Sequence, residues 1–316
     1  MVGQRVHVVG AGIIGLSIAH EVARRGHTVT VLAEQRAQAS VSSVAAAVWF
    51  PYRSGTSPSL PHWLLAARAR FEQLAGDPAT GVDLREGLVV ERDHAVDRSW
   101  TAAVPQHHEA TPGELPAGAV AGMWATVPVI SMPHYLPWLE QACADRGVTF
   151  TARRVARVED VAGGADLVVV AAGMGSGALL GDAALYPVHG QIVRLPNPGL
   201  TQWVTDTAHP EGLTYVVPRR DDIVCGGVAQ VGSWATHPDP AVEQAILRRV
   251  TALVPALAGL PVLSRATGLR PARDALRLEP VAGYSVPVIA CYGHGGAGVT
   301  LSWGCAEAVA DLVDRT

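Results

Sequence analysis

The segment Gly10-Ala11-Gly12-Ile13-Ile14-Gly15 constrains this chain more than any other. It lies between a β-branched apolar run, Arg5 to Val9, and a stretch from Ile13 to Arg25 whose apolar residues recur at helical spacing until Gly26. Thr28 to Leu32 then reads as a second strand, which completes a βαβ unit. In that context G-x-G-x-x-G is a dinucleotide fingerprint. Gly10 permits the tight turn, Gly12 lets backbone amides approach a pyrophosphate, and Gly15 lets helix and strand pack closely. Ile13 and Ile14 open a helix whose N-terminus offers partial positive charge. Glu34, 19 residues after Gly15, is placed to accept hydrogen bonds from a ribose, and its charge argues against NADP. The unit leaves NAD and FAD open, because both are held through the same ADP geometry.

Composition removes several other classes. Of 316 residues, 49% are hydrophobic and 16% charged, so the chain carries enough apolar material for a large core or two smaller ones. A formal charge of -4 gives no basic stripe for a nucleic-acid backbone. The four cysteines, Cys143, Cys225, Cys291 and Cys305, form no Cys-x-x-Cys pair, so their spacing suggests no metal site and no disulfide framework. A reducing cytoplasm is the expected compartment. No apolar run reaches the roughly 18 residues of a membrane span, and the N-terminal apolar run does not read as a signal peptide.

Along the rest of the chain, helices are expected near Leu60 to Ala75, Pro133 to Arg146 and Pro240 to Leu253, and strands joined by turns between Asp77 and Val129. Further strands are expected at Val148 to Val158, Asp166 to Ala172, Gln191 to Arg194, Thr214 to Pro218 and Ile223 to Val228. From Val288 the chain reads as a strand, a glycine turn over Gly293 to Gly298, and a last helix. The implied fold class is α/β: a Rossmann-like nucleotide-binding domain (1–55, 130–185 and 265–316) with an inserted mixed antiparallel β-sheet substrate domain (56–129 and 186–264).

The run Cys291-Tyr292-Gly293-His294-Gly295-Gly296-Ala297-Gly298-Val299-Thr300-Leu301-Ser302-Trp303-Gly304 resembles the C-terminal signature of D-amino-acid oxidases. The resemblance extends in order over nearly the whole chain. It takes in the fingerprint, Val44-Ala45-Ala46, Trp49 with Pro51-Tyr52, and Pro187 with Gly190-Gln191. Tyr215 with Pro218, Gly268-Leu269-Arg270-Pro271 and Arg277-Leu278-Glu279 complete it. It implies FAD as cofactor, a small D-amino acid and dioxygen as substrates, and a 2-oxo acid, ammonia and hydrogen peroxide as products. By the same resemblance Arg270 holds the substrate carboxylate, Tyr215 shares it, and the carbonyl of Gly296 accepts from the amine. Gly295, Gly296, Gly298, Val299 and Thr300 would cradle the isoalloxazine. Ala46, Ala47, Val48, Glu34, Ser42, Val155, Ala172 and Gly173 would contact the remainder of FAD. A homodimer is a further expectation.

The chain departs from the family pattern at several points. His209-Pro210-Glu211-Gly212-Leu213-Thr214 is a short lid without the family's second tyrosine, Ala47 stands for a glycine, and Phe50 stands for a glutamine. Arg53 could favour an acidic substrate, although a solvent-facing arginine is the better reading. His294 reads as a structural histidine and Cys291 as a buried free thiol in a strand. The C-terminus carries no Ser-Lys-Leu address, so a peroxisomal compartment is not expected. The readings that stay open are a glycine- or sarcosine-type amine oxidase, a non-catalytic flavin- or dinucleotide-binding sensor, and an NAD-linked dehydrogenase.

Overall fold

A computed structural model describes residues 3–51, 57–94 and 96–316. The fingerprint unit forms as its residues dictate: β1 (Arg5–Val9), α1 (Ile13–Arg24) and β2 (Thr28–Ala33), with β1 and β2 parallel in the register Val6↔Val29 and Val8↔Val31. α2 (Leu60–Leu74) follows, then β3 (Val82–Glu91), β4 (His107–Glu109), β5 (Ala121–Ile130), α3 (Met132–Ala144), β6 (Thr149–Ala152) and the short α4 (Glu159–Ala162). Next come β7 (Leu167–Val170), α5 (Gly175–Leu180), β8 (Tyr186–Pro196), β9 (Trp203–Asp206), β10 (Thr214–Pro218), β11 (Asp222–Gly226) and β12 (Gln230–Val231). The chain ends with α6 (Pro240–Leu253), β13 (Ser264–Val281), β14 (Val288–His294) and α7 (Gly298–Asp314).

One sheet carries all of these strands, in the order β4-β5-β3-β9-β10-β11-β8-β13-β14-β7-β1-β2-β6, with β12 beside β8. From β14 to β6 every pairing is parallel, which suits strands such as Leu167–Val170 whose four residues are all buried. From β13 through β8 and β11 to β9 the pairings are antiparallel. β13 joins the halves, pairing β8 over Ser264–Ala272 and β14 over Ala272–Val281. Arg270, Arg273 and Arg277, whose spacing is compatible with a helix, therefore lie on a strand, because both edges of the segment find partners. The strand expected to reach Val158 stops at Ala152, since its partner β2 ends at Ala33 opposite it. Val155 is left in a loop.

α1, α3 and α7 pack together on the parallel side. α7 also approaches α2 so closely that a Cβ on Gly304 would overlap the Trp63 carbonyl. His20 is buried in this helical layer, edge-on to Trp303 at 5.2 Å, and its Nε2 accepts from Arg146 Nε at 2.9 Å. Burial first, and then the Arg146 charge, push its pKa down to about 4. The unfolded chain takes up this proton near pH 6.5 and the folded one only near 4. The stability contributed by keeping His20 neutral is therefore complete above about pH 6.5 and lost as pH falls towards 4, at up to roughly 1.4 kcal/mol per pH unit. Urea unfolding of the His20→Gln variant between pH 4.5 and 7 is expected to show a flatter stability profile than wild type; parallel profiles would refute the assignment.

Candidate active site

A cavity of about 1150 Å³ runs from the carboxyl ends of β1, β2 and β7, past the end of β14, to the face formed by β8, β10 and β13. At its first end Gly10 turns with φ +115°, and a Cβ there would overlap the Ala171 carbonyl. Gly15 is the one fingerprint glycine that does not line the cavity. A Cβ on it would overlap the Gly10 carbonyl, which is the helix-to-strand packing role expected of it. Gly12 caps α1 without a side-chain bond of its own, so the first amides of the helix need another acceptor. Ser42 Oγ supplies one, accepting from Ile13 N at 3.0 Å. Arg194 steadies that segment by donating to the Ser43 carbonyl at 3.1 Å. Ile14, Glu34, Val155, Ala172 and Gly173 line the same end, with Glu34 exposed just beyond β2.

Midway, the wall is formed by Ala46, Ala47 and Val48 on one side and by the turn before α7 on the other. Ala47 holds φ +61°, the left-handed region in which glycine is favoured. Its carbonyl accepts from Ile130 N at 2.8 Å, and Trp49 N donates to the Pro128 carbonyl at 2.8 Å, so β5 fixes the strained residue from both sides. Thr300 Oγ1 donates to the Phe50 carbonyl at 3.1 Å, tying this segment to α7. Gly295, Gly296, Gly298, Val299 and Thr300 all line the cavity, and α7 points its N-terminus there. Tyr52 and Arg53 lie outside the described residues.

At the far end stand Arg270 on β13 and Tyr215 on β10. The half-buried Arg270 donates from NH1 to the carbonyls of Val228 at 3.0 Å and His189 at 3.5 Å. No carboxylate among the described residues pairs with it, whereas Arg273 and Arg277, on the same strand, meet Asp182 at 3.0 and 3.5 Å. Three glycines make room for this pair. A Cβ on Gly190 would overlap the Arg270 guanidinium, and one on Gly226 would overlap the Tyr215 ring. One on Gly227 would press the Tyr215 hydroxyl at 2.9 Å. Buried Arg249 of α6 supports the arrangement, donating to Thr214 Oγ1 at 3.0 Å and to the carbonyls of Gly227, Leu213 and Glu211 at 2.9, 3.3 and 3.3 Å. It stitches the short His209–Thr214 connection to the loop under Tyr215. Sequence reasoning missed Arg249, Gly226 and Gly227. Their signal is a buried arginine in an amphipathic helix and a Gly-Gly pair ending a strand, and neither points to a site without the sheet register Tyr215↔Gly226.

Cys291 is a buried free thiol on β14, as its strand context implied. A hydrogen bond from Cys305, together with His294, holds it below the ordinary thiol range, while burial pushes Cys305 up.

The fit to FAD rests on these observations. A long cavity has a dinucleotide turn at one end, glycines that Cβ atoms would obstruct, a second helix N-terminus midway, and beyond it a cation without a counter-ion among the described residues.

Comparisons agree. The model of the FAD dependent oxidoreductase family matches residues 5–312. The D-amino-acid oxidase of Rubrobacter xylanophilus is 44% identical over 98% of this chain and 95% of its own length. That of Streptomyces coelicolor is 39% identical over 97% and 96%. Among solved structures, glycine oxidase from Geobacillus kaustophilus superposes with a TM-score of 0.83 over 100% of this chain and 96% of its own, at 22% identity, which speaks for the fold.

The glycine contacts make a direct prediction. Gly190→Ala is expected to displace the Arg270 guanidinium and weaken binding of small carboxylates at least about tenfold, or roughly 1.4 kcal/mol. Calorimetric titration checks this, and dinucleotide content should be unchanged. Undiminished carboxylate affinity would show that Arg270 does not hold the anion.

Proposed function

Since the chain belongs to the FAD dependent oxidoreductase family, we propose that it oxidatively deaminates small D-amino acids to 2-oxo acids and ammonia, reducing dioxygen to hydrogen peroxide. The observation that carries this reading is Arg270, a half-buried guanidinium without a carboxylate partner among the described residues, at the end of a cavity that begins at a dinucleotide fingerprint. When bound, FAD supplies the hydride acceptor and the route of electrons to dioxygen.

The residues of this chain supply orientation and charge. A planar guanidinium grips a carboxylate with two parallel charge-assisted hydrogen bonds, fixing direction as well as position. We assign that grip to Arg270, a share of it to the Tyr215 hydroxyl, and acceptance of the substrate amine to the Gly296 carbonyl. With carboxylate and amine both anchored, only one face of the α-carbon turns its hydrogen towards the Gly295–Thr300 wall, and that selects D over L. A neutral amine then needs no side-chain base. The N-terminus of α7 places partial positive charge where negative charge develops. Gly10, Gly12, Ile13, Ile14, Glu34, Ser42, Ala46, Ala47, Val48, Val155, Ala172, Gly173, Gly298 and Val299 are assigned to the cofactor by their place along the same cavity, with Gly15 acting through packing. The division into a cofactor domain and a substrate domain has support in the change from parallel to antiparallel pairing at β13.

For the substrate side chain, the wall around Tyr215 includes Phe50, Trp203, Leu213 and Val217. The nearest other arginine on β13, Arg273, is paired with Asp182. That favours neutral over acidic D-amino acids. A glycine- or sarcosine-type oxidase would use the same arginine logic, and turnover of D-alanine against sarcosine separates the two. Among the described residues no helix is long and apolar enough to cross a membrane. The four free thiols support a reducing compartment, for which we propose the cytoplasm.

Two outcomes test the assignment. Arg270→Ala is expected to lower kcat/KM for D-alanine by about 10²–10³, chiefly through KM, because it removes a charged hydrogen-bonded partner. Peroxide release measures it, and a change of less than twofold would refute the role of Arg270. D-valine and D-methionine are expected to exceed D-aspartate in kcat/KM, and the reverse order would place a cation at the side-chain end of the pocket.

A further inference from the structure

One buried cluster takes no part in the chemistry above. Cys291 on β14, His294 at its end and Cys305 on α7 are all buried, and their ligand atoms lie within 4.8 Å of one another. None of the thiols is in a disulfide, and His294 Nε2 is buried without a hydrogen-bond partner. Among the described residues no other group of three His, Cys, Asp or Glu side chains is gathered in this way. The linear spacing conceals it, because Cys305 follows Cys291 by 14 residues and is brought back only by the packing of α7 against β14.

We propose that Cys291, Cys305 and His294 form a binding site for zinc behind the glycine turn of the cavity. Two sulfurs and an imidazole nitrogen are a donor set that zinc accepts, at about 2.3 Å for sulfur and about 2.0–2.1 Å for nitrogen. Tetrahedral ligand atoms then stand roughly 3.5–3.8 Å apart, which small side-chain rotations reach from the observed spacing. Charge selects the divalent ion: two thiolates cancel its charge and a neutral imidazole adds none, so the buried complex carries no net charge. A monovalent ion on the same ligands would leave a buried negative charge. Cys291 and His294 both line the cavity, which leaves the fourth position to a water. Bound there, zinc would clamp the end of β14 to α7 on both sides of the Gly293–Gly298 turn. The site stands on its own geometry and does not depend on which amine is oxidised.

The test uses the flavin-loaded protein, treated with chelator, incubated with zinc, desalted, and assayed for metal by mass spectrometry. One zinc per chain is expected, with a higher melting temperature. The ion should be lost in Cys291→Ala and in Cys305→Ala, kept in Cys225→Ala, and bound at least tenfold more weakly in His294→Gln. Cobalt in place of zinc should give thiolate-to-cobalt charge-transfer absorption in the difference spectrum of the wild-type protein, a readout that survives if a cysteine variant fails to fold. Absence of stoichiometric zinc would overturn the proposal. So would retention of zinc in both cysteine variants, or bound cobalt without the charge-transfer band.

Discussion

A guanidinium taken partly out of water needs compensation, and among the described residues Arg270 finds it in two backbone carbonyls. Much of the remaining architecture keeps that charge in place without neutralising it. β13 pairs the residue with Val188 of β8, and Gly190 vacates the space its side chain fills. Asp182, a half-buried acid, is committed to Arg273, Arg277 and the Tyr292 hydroxyl. A ligand carboxylate is the partner we propose for it. The account of substrate binding follows from that vacancy in charge more than from the shape of the cavity.

The second constraint is the approach of backbone to backbone. Gly10 against Ala171, Gly15 against Gly10, and Gly226 beneath Tyr215 are places where a single methyl group would collide with main chain or with an aromatic ring. Ala47 shows what the chain tolerates when it forgoes glycine. It holds φ +61° through bonds to Ile130 and beside Pro128, at a cost of order 1–2 kcal/mol that the surrounding strand repays. The same logic of compensation recurs at Arg249, a buried cation whose donors are taken up by three carbonyls and a hydroxyl, which stitch the His209–Thr214 connection in place.

The parts of the fold legible in the sequence were those set by local chemistry. Strand, glycine turn and helix from Arg5 to Arg24 announce themselves, as do α6 and β10, whose observed limits match their expected ones. What local pattern could not supply was pairing. β13 carries arginines at helix-compatible intervals and becomes a strand of 18 residues because β8 and β14 offer it edges. β6 stops short of the expected Val158 because its partner β2 ends at Ala33, opposite Ala152. The positions of Arg270, Tyr215 and the Gly295–Thr300 turn on one cavity were accessible through resemblance, since their residues are distributed over three distant segments. Arg249, the Gly226–Gly227 seat and the Cys291–His294–Cys305 cluster depend on packing between elements, and no spacing in the chain encodes them.

The central claim is that Arg270 and the Gly295–Thr300 wall present the α-hydrogen of one enantiomer to a bound flavin. Rapid mixing of the purified protein with D- and L-alanine in the absence of oxygen, followed by the flavin absorbance, tests it most directly. The account predicts complete bleaching by the D-isomer, none by the L-isomer, and return of the oxidised spectrum with hydrogen peroxide when air is admitted. A protein without flavin, or a flavin that both isomers or neither reduces, would contradict it.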